Sequence, residues 1–159
     1  MAIPITVQQY LHQNGVDFES VEHKSAPSAS RVAQRAHVSG EKVAKGVLLR
    51  DDQGYVLAVL PATHELDLDA LNNDVLQRKL ELADEAQLGE VFTDCEVGAV
   101  PALGPAYGLQ TIVDRTTTEA DEVYFEAGDH RTLVKVRAAD FRDRLLQGAA
   151  AADISHHVH

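Results

Sequence analysis

A lysine stands within an otherwise apolar run of the sequence, Val43-Ala44-Lys45-Gly46-Val47. Lysine side chains are rarely buried alone, so this ammonium group must either enter a polar cleft or leave the sheet at an edge. A point charge on a rigid strand is suited to holding a phosphate or a carbonyl oxygen. The pattern leaves two interpretations open: Lys45 contacts a substrate, or Lys45 is an exposed lysine at the edge of a sheet.

Glycine and proline are concentrated in the segment Gly98-Ala99-Val100-Pro101-Ala102-Leu103-Gly104. Backbone amides of such a turn can donate hydrogen bonds to an ester carbonyl or a water molecule, and this chemistry needs no reactive side chain. The segment lies inside a long loop, 93–108, of the kind that is often functional in compact domains. A turn-rich connector without a catalytic role is the alternative.

His130, His64 and Cys95 are further residues whose side chains could take part in a reaction. His130 lies between two predicted strands, where it could bind a substrate or carry a proton, and His64 could do the same. For both histidines a plain surface position is the alternative. Cys95 is the only thiol, and the negative charges of Asp94 and Glu96 beside it raise a thiol pKa, so we do not expect a cysteine nucleophile.

The composition indicates one soluble domain. The chain has 159 residues, 45% of them hydrophobic and 25% charged, which is enough for one compact core and argues against a disordered chain. No apolar run approaches the roughly 20 residues of a membrane span, and the first residues lack the pattern of a signal peptide. A single cysteine excludes disulfides within the chain and cysteine-rich zinc sites. We therefore expect a cytoplasmic protein without a membrane partner.

The charge is unevenly distributed along the chain. The formal net charge is −11, but Val21 to Arg50 contains six Lys or Arg residues against two Glu residues. An acidic protein is not expected to coat nucleic acid, so we expect no DNA partner. One basic segment, which includes Lys24 and Arg31, suits contact with a small anionic group or a strand end. A solvated surface is the alternative for these cations.

The hydrophobic pattern predicts helices alternating with mostly hairpin-linked strands. The predicted helices are Thr6–Gln13, one that starts at Ser28 or Ser30 and ends near Ala36, Asp67–Leu76, Asp84–Phe92 and Ala138–Gln147. The predicted strands are Val16–Glu22, Val43–Leu49, Tyr55–Leu60, Gln110–Asp114, Glu122–Glu126 and Thr132–Val136. We therefore expect an α/β fold, a single compact domain whose mixed, mostly antiparallel sheet is flanked by helices. A doubly wound parallel sheet is not expected.

The chain is expected to form one domain over residues 1–147, followed by a flexible C-terminal tail, 148–159. The tail contains His156, His157 and His159, which could chelate a metal weakly. Without a folded frame or an acidic partner we do not interpret them as a metal site. We expect no metal and no cofactor.

Six pieces of the chain, taken in their order and spacing, resemble the YbaK/EbsC-type aminoacyl-tRNA deacylases. This family is related to the editing domain inserted in bacterial prolyl-tRNA synthetases. No single piece is specific, and the matching pieces span most of the chain, from about Val16 to Leu146. The pieces are EHKSAP from Glu22, SRVA from Ser30, KVAKGVLL from Lys42, VLPA from Val59, GAVPALG from Gly98 and FEAGDH from Phe125.

The resemblance implies a compact α/β fold around a mixed, barrel-like sheet. It also implies a trans-acting hydrolase that cleaves the ester of a mischarged tRNA, with the tRNA for proline as the expected one. The implied partner is the 3′ end of aminoacyl-tRNA, and an aminoacyl-tRNA synthetase is a further partner to be considered. Family members differ in whether they remove alanyl, cysteinyl, seryl, threonyl or non-protein aminoacyl groups.

The resemblance also implies roles for individual residues. The family's strand lysine aligns with Lys45 and its GxxxP loop aligns with residues 98–102, so the catalytic candidates are Lys45, Gly98, Ala99 and Ala102. The substrate-binding candidates are His130, Gly128, Pro101, Lys24, Arg31 and His64. The sequence departs from the family at Ala102, where the loop has its proline, and Pro101 stands one residue earlier. Because proline fixes φ near −65°, this departure bears on the amino-acid preference and on the activity.

Two alternatives to a tRNA deacylase remain open. One is a binding or regulatory module that keeps the fold and has lost hydrolysis, which predicts binding of a tRNA end without turnover. The other is a hydrolase of small aminoacyl esters, which predicts turnover that does not depend on the tRNA body.

Overall fold

The computed structural model describes residues 3–22, 33 and 38–158. The strands in this part are β1 Glu19–Glu22, β2 Val43–Asp51, β3 Gly54–Pro61, β4 His64–Leu66, β5 Glu81–Leu82, β6 Gln110–Asp114, β7 Glu122–Glu126, β8 Thr132–Arg137, β9 Ala150–Ala152 and β10 Ser155–His157. Eight of them form one sheet in the order β1-β8-β7-β2-β3-β6-β9, with β5 paired to β2. Strands β4 and β10 form a separate pair.

The hairpin β2–β3 is the centre of the sheet and confirms the sequence prediction. Its antiparallel register runs from Ala44↔Pro61 to Asp51↔Gly54. The Asp51 carboxylate accepts hydrogen bonds from the amides of Gln53 and Gly54, and Gly54 takes a φ of 134°, which suits glycine. Residues 56–60 of β3 are all buried, because both faces of this strand are covered.

The sheet is mixed, as predicted. The pairs β1–β8, β2–β3, β2–β5 and β7–β8 are antiparallel, whereas β2–β7, β3–β6 and β6–β9 are parallel. The parallel pair β2–β7 is short, since only Val43↔Tyr124 and Ala44↔Phe125 are in register. Beyond Ala44 the two strands are no longer paired, so β2 is unpaired on its β7 side at Lys45.

Each face of the sheet carries its own hydrophobic cluster. On one face, Val7 and Leu11 of the N-terminal helix pack in the same cluster as Phe125 and Phe141, whose ring centroids are 5.7 Å apart. On the other face, the cluster is built from the buried residues Leu49, Val56, Ala58, Leu60, Leu71, Leu80, Ile112 and Ile154. The sheet is therefore the middle layer of an α/β fold, which fits the predicted class.

The helical segments are short. The α-helices are Ile5–Gln13, Leu68–Ala70, Glu85–Val91 and Ala138–Asp140. The 3-10 turns are Gly40–Lys42, Gly104–Tyr107 and Arg115–Thr118, and π-helical turns cover Leu71–Leu76 and Phe141–Leu145. The predicted cap Asp84 forms a complete capping box with Gln87. None of the helices in the described ranges has the length and apolar character to cross a membrane.

Several predicted boundaries are wrong. The first helix starts at Ile5 with Pro4 in the cap position, and Thr6 gives its amide to Asp94 Oδ2 at 2.9 Å instead of capping with its side chain. The helices predicted at 67–76 and 138–147 begin as single α-turns and continue as π-helical turns. The first strand starts at Glu19. The helix predicted to end near Ala36 falls, apart from Ala33, outside the described residues.

The expected flexible tail is wrong for residues 150–157. Strand β9 pairs in parallel with β6, and β10 pairs antiparallel with β4. Between them Ile154 is fully buried, and its amide donates to Asp114 Oδ1 at 2.9 Å. The alanine-rich, histidine-rich composition hid this segment, because its one large apolar residue gives no periodic signal.

Candidate active site

The loop that contains residues 98–104 contacts β2 directly at Gly46. A methyl group built on Gly46 would lie 2.9 Å from Val100 Cγ1 and 3.5 Å from the Pro101 carbonyl oxygen. The first of these distances is too short for a Cβ contact, so glycine at position 46 allows the loop to approach the strand this closely. The loop therefore packs beside Lys45, one residue after the point where β2 and β7 part.

The other end of the same loop is fixed to the turn between β7 and β8. The Glu96 amide donates to the Gly128 carbonyl at 2.7 Å. Gly128 has a φ of 124°, and a methyl group there would lie 2.8 Å from Cys95 Sγ, so a larger residue would not fit. The loop thus bridges β2 and the β7–β8 turn, because Val100 and Pro101 approach Gly46 while Cys95 and Glu96 contact Gly128.

His130 completes this bridge. Its Nε2 lies 2.9 Å from the carbonyl oxygen of Val97, and its Nδ1 lies 3.7 Å from Glu126 Oε1. The residue has a backbone φ of 59°, which is uncommon for residues other than glycine and asparagine. The Asp129 carboxylate holds this turn, since it accepts from the amides of Arg131 and Thr132. His130 therefore contacts the loop backbone at Val97 and helps to hold the loop in place.

Lys45 is half-buried on β2, and it lies one residue beyond the last β2 residue paired with β7, so it is partly enclosed although its strand is unpaired on that side. Its Nζ donates a long hydrogen bond, 3.4 Å, to the Ala62 carbonyl. Burial lowers the pKa of this ammonium group, and the charge of Glu65 opposes the shift. A partly desolvated cation with one weak partner is well suited to holding an anionic or carbonyl group of a ligand.

The loop amides differ in whether they are already used. The Ala99 amide donates to the Glu96 carbonyl at 3.0 Å, so this donor is committed to the turn. The amides of Gly98, Val100 and Ala102 donate to no residue in the described part of the chain. Gly98 is exposed and Val100 is half-buried, so a substrate carbonyl or a water molecule could reach these two amides, whereas Ala102 is fully buried.

Cys95 is not an activated nucleophile. Burial raises the pKa of its thiol to about 11, and the neighbouring Asp94 charge acts in the same direction. The Tyr107 hydroxyl lies 3.4 Å from Cys95 Sγ and donates to Asp94 Oδ1 at 2.9 Å. The expectation for this cysteine is confirmed, because the group is held as a neutral thiol.

The remaining candidates are not at the loop or lie outside the described ranges. His64 is buried, with Nδ1 2.8 Å from Ser155 Oγ and Nε2 3.5 Å from Glu41 Oε2. Lys24 and Arg31 fall outside the described residues. Within the described ranges, no group of three His, Cys, Asp or Glu side chains could hold a metal ion.

The sequence reasoning missed Ala62 and Glu126. Ala62 acts through its carbonyl, which no residue type reveals. In the sequence, Glu126 is one polar residue of a strand with alternating polar and apolar residues. Its position near His130 depends on the tertiary fold.

The chain matches a known protein family over most of its length. Residues 23–144 match the model of the aminoacyl-tRNA editing domain. The chain belongs to this family. The candidate lysine, the loop and His130 all lie within the matched range. The curated proteins give no match.

Solved structures share the fold. The chain is similar to a candidate trans-editing enzyme for prolyl-tRNA synthetase, with 22% identity, a TM-score of 0.80 and coverage of 95% of each chain. It is similar to the hypothetical protein APE2540, with 21% identity, a TM-score of 0.82 and coverage of 95% of this chain and 99% of that one. It is also 30% identical to a candidate signal-transduction protein from Marinobacter aquaeolei VT8, with a TM-score of 0.77. The match to that protein covers 96% of this chain but only 31% of the other.

Proposed function

We propose that the protein is a trans-acting aminoacyl-tRNA deacylase, which hydrolyses the ester between a wrong amino acid and the 3′ end of a tRNA. The tRNA for proline is the proposed substrate. The observation that carries this proposal is the loop packed on Gly46, the residue next to half-buried Lys45, with accessible amides at Gly98 and Val100 that donate to no described residue. Membership of the editing-domain family supports it.

The reaction needs few groups from the protein. A water molecule adds to the ester carbonyl, the bond to the ribose oxygen breaks, and the products are a free amino acid and the tRNA 3′ hydroxyl. An aminoacyl ester is already activated, so positioning of water and stabilisation of the developing oxyanion are sufficient. The absence of an activated thiol at Cys95 agrees with such a direct attack by water.

Each group has a role in this scheme. Lys45 holds the tRNA terminus or the aminoacyl carbonyl through its ammonium group. The amides of Gly98 and Val100 bind the carbonyl oxygen as it becomes negative, or hold the attacking water. His130 supports the loop through Val97, and Gly128 makes room for the loop beside Cys95. Lys24 and Arg31 remain proposed contacts to the tRNA end.

The amino acid that is removed depends on the loop backbone. Ala102 stands where related loops have proline, and Pro101 precedes it. Ala102 is fully buried, so a change in its backbone would alter the contact surface around the aminoacyl group.

The test is hydrolysis of a panel of mischarged tRNAs, starting with alanyl-, seryl-, threonyl- and cysteinyl-tRNA for proline, with and without prolyl-tRNA synthetase. The proposal expects selective hydrolysis of at least one member of the panel. Equal turnover of a small aminoacyl ester and of the tRNA would favour a small-ester hydrolase. Binding of the tRNA end without turnover would favour a module that has lost catalysis, and would contradict the proposal.

A further inference from the structure

Strand β10 covers the turn that joins β3 to β4. Its register places His156 opposite Glu65 and His157 opposite His64. Beyond the strand, the Val158 amide donates to the Thr63 carbonyl at 2.9 Å. The C-terminal residues therefore run along this turn and form backbone hydrogen bonds with it.

The carboxylate of Glu41 joins the same turn to β10. Its Oε1 accepts a hydrogen bond from Thr63 Oγ1 at 2.7 Å and lies 2.9 Å from His157 Nε2. Its Oε2 lies 3.5 Å from His64 Nε2, while the other ring nitrogen of His64 faces Ser155 Oγ at 2.8 Å. One carboxylate just before β2 thus contacts both the β3–β4 turn and the C-terminal strand.

Glycine makes this approach possible. A methyl group on Gly40 would lie 2.6 Å from Thr63 Cγ2, so the 3-10 turn that carries Glu41 packs tightly on Thr63. A side chain at position 40 would push the two segments apart.

The β3–β4 turn, which Glu41 and β10 contact, is also the turn that holds Lys45. The Ala62 carbonyl accepts from Lys45 Nζ, and the Ala62 amide donates to Val43 at 2.7 Å. Glu65 of β4 is the charge that acts on Lys45, and His156 Nε2 lies 3.7 Å from Glu65 Oε2. The groups that set the position and charge of Lys45 therefore sit on the segment that Glu41 and β10 restrain.

We propose that Glu41 and strand β10 form a clamp that positions Lys45 for the substrate, with Glu41 and His157 as its positioning residues. By fixing the Ala62 carbonyl, the clamp keeps the Lys45 ammonium group on the turn and ready for the tRNA terminus. The proposal rests on the proposed role of Lys45 in deacylation. It assigns a function to the last residues of the chain, which contain no catalytic group.

Two variants remove the clamp while preserving the core. A chain that ends at Ser155 keeps Ile154 in place but lacks His157 and the bond from Val158. Glu41→Gln keeps the length of the side chain and removes its charge. Glu119→Gln serves as the control, because Glu119 is an exposed carboxylate whose side chain forms no hydrogen bond or ion pair with the described residues.

Kinetics separate positioning from a general loss of structure. Because Lys45 is proposed to bind the substrate terminus, both variants are expected to raise KM about 5- to 10-fold and to change kcat by less than about 2-fold. His157→Ala should act in the same direction, and His157→Gln, which keeps a hydrogen-bond donor, should recover part of the loss. A drop in kcat alone, or an unchanged KM, would overturn the proposal.

A second measurement does not depend on activity. The NMR resonance of the Lys45 side-chain methylene next to Nζ, with ¹³C-labelled lysine and assignment by Lys45→Arg, reports the surroundings of the ammonium group. It should shift in the truncated chain and in Glu41→Gln, and stay in place in Glu119→Gln. An unchanged resonance would overturn the clamp even if the protein is a deacylase. If the wild type hydrolyses no tRNA but the resonance shifts, the proposed function fails and the clamp on Lys45 stands.

Discussion

Two polar groups of residues lie in or next to the loop 93–104, and they differ in how fully they are paired. The Asp94 cluster consists of Asp94, Cys95 and Tyr107. Its carboxylate accepts from Tyr107 and from the Thr6 amide, and Tyr107 contacts the thiol as well. In the second group, Lys45 has one hydrogen bond of 3.4 Å, and the loop amides of Gly98 and Val100 donate to no described residue.

The Asp94 cluster is satisfied by its own hydrogen bonds, whereas the Lys45 group is the proposed functional one. Burial raises the pKa of Cys95 to about 11, whereas hydrogen bonds from Thr6 and Tyr107 outweigh burial and lower the pKa of Asp94. Each group of the Asp94 cluster is thus stabilised in one protonation state. Lys45 and the loop amides lack such partners, and groups of this kind are available to a ligand. The four changes below test this contrast, from the largest expected effect to the smallest.

Gly46→Ala should disrupt the Lys45 side most strongly. The added methyl group would lie 2.9 Å from Val100 Cγ1 and would displace the loop. The clash is relieved by a shift well below 1 Å, and a shift of about 1 Å can cost about 100-fold in rate, so we expect a loss of about 10- to 30-fold in kcat/KM. Adding Val100→Ala should restore part of the activity. Gly89→Ala, whose methyl group would meet no atom within 4 Å, should leave activity unchanged, and an active Gly46→Ala enzyme would contradict the account.

His130→Ala should have a smaller effect, because His130 acts through the loop. The hydrogen bond to Val97 is worth about 1 kcal/mol, and its loss should lower kcat/KM about 5- to 10-fold. His130→Asn should lose less, since asparagine tolerates a positive φ and can still donate. Measuring deacylation with both variants checks the order, and equal losses would argue against a role in loop shape.

Tyr107→Phe should change stability and leave activity nearly intact. It removes the donor to Asp94 and leaves a half-buried carboxylate with fewer partners, which should cost about 1–2 kcal/mol of unfolding free energy. Urea denaturation measures this cost, and kcat/KM should stay within about 2-fold. A strong loss of activity with unchanged stability would transfer the functional role to the Asp94 cluster.

Cys95→Ala should remove a weak pH dependence of stability. The native thiol has a pKa of about 11 against an ordinary value of 9.0, so folding favours the protonated form. This stabilisation is complete below about pH 9 and is lost as the pH rises towards 11. The unfolding free energy of the wild type minus that of Cys95→Ala should therefore fall between pH 9 and pH 10.5. A constant difference would show that the thiol is not shifted in this way.

Local signals in the sequence predict much of the fold. The hairpin β2–β3 follows from two apolar runs and a turn with Gly54, and the helix at 85–91 follows from its Asp84–Gln87 capping box. Both depend on residues that are close in the chain, so the sequence reveals them. Lys45 was found in the same way, because a charge in an apolar strand is locally unusual.

Contacts between distant residues could not be predicted in this way. The bond between His130 and Val97 spans 33 positions, and that between Thr6 and Asp94 spans 88. Strand β10 pairs with β4, which is distant in the chain, so the composition of residues 155–157 alone suggested a tail. The commitment of the Ala99 amide to Glu96 was equally hidden, because residue types do not show where backbone hydrogen bonds go.

The most direct test of the central claim is single-turnover deacylation of the best mischarged tRNA by the wild type and by Lys45→Ala. Lys135→Ala is the matched control, since Lys135 lies on β8 and pairs with Glu122 of β7, away from the loop. With the enzyme well below saturation, so that the rate reports kcat/KM, the account predicts a rate at least about 100-fold lower for Lys45→Ala, with an unfolding midpoint close to that of the wild type, and an unchanged rate for Lys135→Ala. Wild-type turnover by a folded Lys45→Ala protein would contradict the account.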